Sequence, residues 1–135
     1  MKTFFRNLKG VLVISGCTLN TVVCFIPLMM LAIVKLLLPI QSLRNVLTRW
    51  IMAIGEFWID INAFLFGLVN NTTWEARGLE SLSPGNWYLL IANHQTWVDI
   101  VALQTVLNRK IPFLKFFIKQ ELVWFPFLGL ACWAR

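Results

Sequence analysis

Residues 89–104 read LLIANHQTWVDIVALQ, and the fold turns on what happens in their middle. Tyr88 to Asn93, YLLIAN, is a short unbroken apolar run of strand length, which predicts a buried strand. From Val98 the apolar residues return at helical spacing, at Val101, Ala102, Thr105 and Val106, predicting a helix from Thr96 to Asn108. Where one pattern gives way to the other stand His94, the only histidine in the chain, and Asp99, one of its two aspartates.

Two readings of that pair follow from its local chemistry. Thr96 with an acidic residue three positions on fits a capping box, and a carboxylate there suits the positive end of the helix dipole. In that reading Asp99 starts the helix and His94 is a loop residue. The other reading is chemical. On one continuous helix the two side chains would diverge, but a strand-to-helix turn lets them converge at the carboxyl edge of a sheet, where open α/β folds place ligands. Asp99 would then hold one imidazole nitrogen while the other faces a hydroxyl, a general-base arrangement for a group that titrates near pH ~6.5. The two roles are compatible.

Working outward, IPFLKFFIK (residues 111–119) is a second strand candidate, and Gln120 to Trp124 reads as a short helix or turn before FPFLGLACWAR. Strand, helix, strand in that order predicts a parallel α/β layer. Upstream, LSPGNW (82–87) has turn chemistry, WEARGLE (74–80) reads as a short strand or extended lead-in, and Asn70 to Thr73 end a helix. The expected class is therefore α/β, an N-terminal two-helix membrane anchor (1–70) followed by the first part of an α/β domain (71–135).

The anchor rests on composition. In 135 residues, 59% are apolar and 13% charged, with seven tryptophans and eleven phenylalanines; soluble domains average ~25% charged. A small domain has too little interior for so much apolar surface, so part of it should face lipid. Val11 to Val34 carries no charge, and 24 residues of helix reach about 36 Å, enough for a hydrocarbon core of ~30 Å. No small-residue cleavage site follows, as one would after a signal peptide. Pro27 makes a re-entrant course an alternative to a span. Lys2, Arg6 and Lys9 before the run balance Lys35, Arg44 and Arg49 after it, so charge does not orient the segment. Leu43 to Val69 reads as a second helix packed on the first, with Arg49, Glu56 and Asp60 on one face and Arg49 as the expected neutralising cation.

The net charge of +6 suits anionic headgroups. Nucleic acid is excluded as a partner, because these charges border apolar runs and form no polar basic face. Cys17, Cys24 and Cys132 have no ligand spacing and read as packing residues. One histidine and few carboxylates offer no metal cluster.

NHQTWVD, Asn93 to Asp99, resembles the NH-x4-D motif of the glycerolipid acyltransferase family, the 1-acylglycerol-3-phosphate acyltransferases and their relatives. KQEL (Lys119 to Leu122), PFLG (Pro126 to Gly129) and the Trp-x-x-x-Gly lead-in at Trp74 to Gly78 are similar to the same family's segments, in the same order. The resemblance runs from about residue 11 to the end of the chain. It implies transfer of an acyl group from a thioester of coenzyme A or acyl carrier protein to a lysophospholipid hydroxyl, without a bound cofactor. His94 would be the base, Asp99 its orienting partner, Asn93 a holder of the loop, and Lys119 a point charge for a substrate phosphate. Phe113, Phe116, Phe117 and Trp124 are candidates for an acyl groove or for core. The expected location is a bacterial inner membrane, with the site on the cytoplasmic side. The family's acceptor-phosphate arginine and Glu-Gly-Thr segment have no counterpart here, since Arg135 lies too close to Gly129. The chain thus reads as the first part of a longer enzyme, or as a non-catalytic membrane relative that only binds lipid or a partner.

Overall fold

The computed structural model describes residues 2–69, 74–93 and 95–115. Among them are three helices: α1 (Lys2–Leu37), α2 (Gln41–Val69) and α3 (Trp97–Leu107). The first two form an antiparallel hairpin around Leu38, Pro39 and Ile40. Pro39 lacks an N–H and disfavours helix at the residue before it, so α1 stops there. Pro27 lies inside α1 without ending it. The basic N-terminal residues, expected to precede the helix, are its opening turns.

Packing between α1 and α2 follows from small and apolar residues meeting across the seam. Ala32 is fully buried, and with Met29 and Ile51 it forms a cluster backed by Phe25, Leu28 and Leu31. Near the other end Gly16 lets Leu65 approach to 3.2 Å of where a Cβ would stand. Polar side chains tie the middle. Asn20 Nδ2 donates to Asn62 Oδ1 at 2.9 Å and to the Trp58 carbonyl at 3.1 Å, and Cys24 Sγ donates to Asn20 Oδ1 at 3.4 Å. Trp58 Nε1 donates to Thr21 Oγ1 at 3.0 Å. Such interhelical bonds each contribute about 0.6 kcal/mol in membrane helices. Outward, Leu12, Ile14, Val23, Ile26, Phe57 and Phe64 stay exposed. Both helices are long and apolar enough to cross a membrane by length and composition.

α3 runs back along the second half of α2. Its Val98 and Val101 lie across a cavity from Ala63 and Gly67, while Asn108, just past its end, reaches Glu56 and Asp60. The segment expected to anchor the protein therefore also carries the motif helix.

The expected α/β layer is corrected: no strand occurs among the described residues, which fold as helices and connecting segments. Exposure alternates along Trp87 (81%), Tyr88 (39%), Leu89 (77%), Leu90 (43%) and Ile91 (86%), the two-residue period of a strand. A strand, however, is made by its ladder, and among the described residues no second extended segment pairs with this one. Residues 111–115 likewise form no strand ladder. The rest of that strand candidate and the short helix at Gln120 to Trp124 lie outside the described residues. The turn at LSPGNW is as expected: the Asn86 N–H donates to the Ser83 carbonyl at 3.2 Å, and Ser83 N–H donates to Tyr88 Oη at 2.8 Å.

Candidate functional site

The motif turn is built by the start of α3. Thr96 is the N-cap, with extended φ −136° and ψ 160°, and forms a capping box with Asp99. Asp99 Oδ2 accepts three hydrogen bonds, from the backbone N–H groups of Gln95 and Thr96 at 2.9 Å each and from Thr96 Oγ1 at 3.1 Å. Two backbone donors that the helix itself cannot satisfy are thus met by one carboxylate oxygen at the positive end of the helix dipole. A cap of this kind contributes about 1 kcal/mol. What the arrangement does chemically is fix the two residues that follow His94.

Of the three residues the sequence singled out, Asp99 alone is described; His94 and Lys119 lie outside the described residues. The capping role of Asp99 is present in full. The turn it closes runs from Gln95 to Asp99.

Beside the turn, α3 forms one wall of an apolar groove of about 400 Å³. Trp87, Leu90, Ile100, Leu103, Ile111 and Phe113 line it, and Lys115 Nζ sits 5.6 Å from the Trp87 ring centre at one side. Phe113 is among its lining residues. Phe116, Phe117 and Trp124 lie outside the described residues. Phe113 also packs so closely on α2 that a Cβ on Gly55 would stand 2.8 Å from its ring.

A second feature was missed in the sequence. Glu56 and Asp60 are met by Arg109, and the expected Arg49 does not take that place: Arg109 Nε donates to Glu56 Oε2 at 3.2 Å and Nη2 to Asp60 Oδ2 at 2.6 Å. Asn108 Nδ2 adds bonds to Asp60 Oδ1 at 2.7 Å and to the Glu56 carbonyl at 3.4 Å. Arg49, on the same face two turns away, is less well placed than a cation arriving from the end of α3. The available signal was a pair of carboxylates four apart in an apolar helix, which repel unless a cation stands between them. The hydrogen bond to Glu56, and then the charge of Asp60, raise the Arg109 pKa above its already high ordinary value, so it is a permanent cation. Arg109 adopts a left-handed φ of 61°, a conformation that costs a non-glycine residue about 1–2 kcal/mol. Among the described residues no group of three potential metal ligands occurs.

The acyltransferase family profile matches residues 74–134. Among curated proteins, the chain is similar to human 1-acyl-sn-glycerol-3-phosphate acyltransferase alpha, 37% identical over 60 residues, which is 44% of this chain and 20% of the relative. The bovine and murine proteins of the same name match over the same shares at 37% identity. The chain thus covers about a fifth of the length of these relatives. No solved structure matches.

Proposed function

We propose that the chain, which is similar to the acyltransferase family over residues 74–134, serves acyl transfer to a lysophospholipid at a membrane. In this reading His94 takes the proton of the acceptor hydroxyl, and the oxygen adds to the thioester carbonyl. The thiolate of coenzyme A or acyl carrier protein then leaves and takes the proton back from the imidazolium, giving an ester and a thiol. Asp99 holds the turn and favours the imidazolium that forms. Lys119 faces a substrate phosphate, and no cofactor is bound. The acceptor is a lysophospholipid such as 1-acylglycerol-3-phosphate, the substrate in the relatives' name. The observation that carries this is Asp99 Oδ2 closing the turn directly after His94 at 2.9 Å.

The groove beside the turn suits an acyl chain. Residues 1–70 act as the anchor and 71–135 as the acyltransferase portion, with α2 shared between them. The membrane is a bacterial inner membrane with the site on the cytoplasmic face, where the thioesters are made. The test is transfer from labelled acyl thioester to lysophosphatidic acid by the chain in liposomes. His94→Ala should lower the rate about 10²- to 10⁴-fold, the usual worth of a general base. Asp99→Asn should lower it less while also loosening the turn. Equal rates for wild type and His94→Ala would sink the proposal.

A second reading is a non-catalytic membrane relative that binds lipid or a partner. It is favoured by one observation: Asp99 Oδ2 is engaged by three donors that together cap a helix, a sufficient structural task for the residue. Loss of stability in Asp99→Asn, with no transfer by the wild-type chain to lose, would support it.

A further inference from the structure

Among the described residues Arg109 is the one non-glycine with a left-handed φ, and the cost of that backbone points to a task. We infer that Arg109 and Asn108, held on Glu56 and Asp60, form a clasp that fixes the height of the motif helix against the anchor. The clasp thereby holds the His94–Asp99 turn at the bilayer surface, where a lipid acceptor presents its hydroxyl. This rests on the acyl-transfer reading above and adds positioning residues to it.

Arg109 occupies the first position past the C-cap of α3, with φ 61°. Glycine is the cheapest residue there, because no Cβ opposes the left-handed backbone. An arginine at that position offsets the backbone cost only through what its side chain reaches. That side chain reaches two carboxylates one helical turn apart, while the adjacent Asn108 takes the other oxygen of Asp60 and the Glu56 carbonyl. Four bonds from two consecutive residues fix both the sliding and the rotation of the helix end on α2. An ordinary surface pair looks different. Glu75 and Arg77 are two residues apart, each at least 75% exposed, and tie nothing distant together.

The other end of α3 is the motif turn. Eleven residues of helix form a strut of about 16 Å. Its foot is the clasp and its head is Asp99, bonded to Gln95 and Thr96. A shift at the foot is carried rigidly to the residues flanking His94. Displacements of about 1 Å at a reacting group can cost 10²-fold in rate, so a strut anchored to the membrane hairpin is a means of setting register with a lipid substrate.

The test uses the full chain in phosphatidylcholine–phosphatidylglycerol vesicles. A fluorophore is placed at Gln95→Cys after Cys17, Cys24 and Cys132 are changed to serine. Nitroxides on lipid headgroups or acyl chains then report its depth. Arg109→Gly relieves the backbone and leaves α3 helical, so a structural cap role predicts no change. The clasp predicts a shift of at least about twofold in the headgroup-to-chain quenching ratio. It also predicts a KM for vesicle-embedded lysophosphatidic acid raised about tenfold, with kcat for a short-chain, water-soluble acceptor within about twofold of wild type. Asp60→Arg combined with Arg109→Asp rebuilds the same charges, with the introduced guanidinium one helical turn from Glu56, and should restore both readouts. An unchanged depth in Arg109→Gly, or no restoration in the exchange variant, overturns the clasp. A depth shift in a chain whose wild type transfers no acyl group supports the clasp as an anchor device and removes the acyl-transfer reading instead.

Discussion

α2 carries two polar clusters at nearly the same height, and they are of opposite kinds. Toward α1 it presents Asn62 to Asn20, both buried and both neutral. Toward α3 it presents Glu56 and Asp60 to Arg109, all charged, with the arginine side chain 60% exposed. Amides satisfied by one another tolerate an apolar surrounding, whereas an ion cluster there is costly unless water or headgroups are near. One helix therefore touches a dry seam on one side and a wet one on the other. In a bilayer, that would put the Glu56–Asn62 level of α2 at the boundary and not in mid-hydrocarbon.

The largest consequence concerns depth. From Gln41 to Gly55, the part of α2 below the ion cluster, 15 residues span about 22 Å, short of the ~30 Å hydrocarbon core. With the clasp at the surface, the loop at Leu38 to Ile40 stays within the membrane. Placed in sealed vesicles, Ile40→Cys in the serine background should resist a membrane-impermeant maleimide added from either side. Full labelling from the face opposite residues 74–115 would mean that both helices cross, and would break the account of the two seams.

The same chemical exchange made in the two clusters sharpens the comparison. Asn62→Asp puts a carboxylate beside Asn20 in the buried seam and should cost about 1–3 kcal/mol, the scale for burying an imperfectly compensated polar group in a protein. Asp60→Asn keeps the shape and one acceptor, leaves Glu56 on Arg109, and should change stability by less than about 1 kcal/mol. Unfolding in mixed micelles measures both. Equal costs would mean that the two faces share one environment.

These clusters also mark how far the sequence could be read. α3 was legible almost to the residue, because Thr96 and Asp99 write a helix start into local chemistry and Asn108 follows the last apolar position. The turn at Ser83 to Asn86 was legible for the same reason. The pairing of Asn20 with Asn62, and of Glu56 with Arg109, was not, since each joins residues about forty to fifty positions apart and no local pattern encodes such a meeting. The strand at Tyr88 to Asn93 failed differently. Its alternation is real, but a ladder needs a partner that the run itself cannot specify. In the candidate site, Asp99 behaves as the capping reading expected, while His94 and Lys119, outside the described residues, stand on the motif alone.

The smallest expected effects come from two glycines that separate the seams by packing. At Gly16 a methyl would meet Leu65 Cδ1 at 3.2 Å, the tip of a side chain that can rotate away. The gain of up to ~1 kcal/mol from replacing glycine in a helix should then outweigh the crowding, so Gly16→Ala leaves the hairpin as stable or slightly more so. At Gly55 the same methyl would meet the Phe113 ring at 2.8 Å, and the ring must move as a whole. Overpacking of about 1–3 kcal/mol offsets or exceeds the helix gain there. Because Phe113 also lines the groove beside the motif turn, Gly55→Ala should alter binding of a fluorescent fatty-acyl probe even where unfolding barely changes. Gly16→Ala should leave that binding untouched. If both alanines behaved alike in probe binding, the contact between α2 and residues 111–115 would have no hold on the groove.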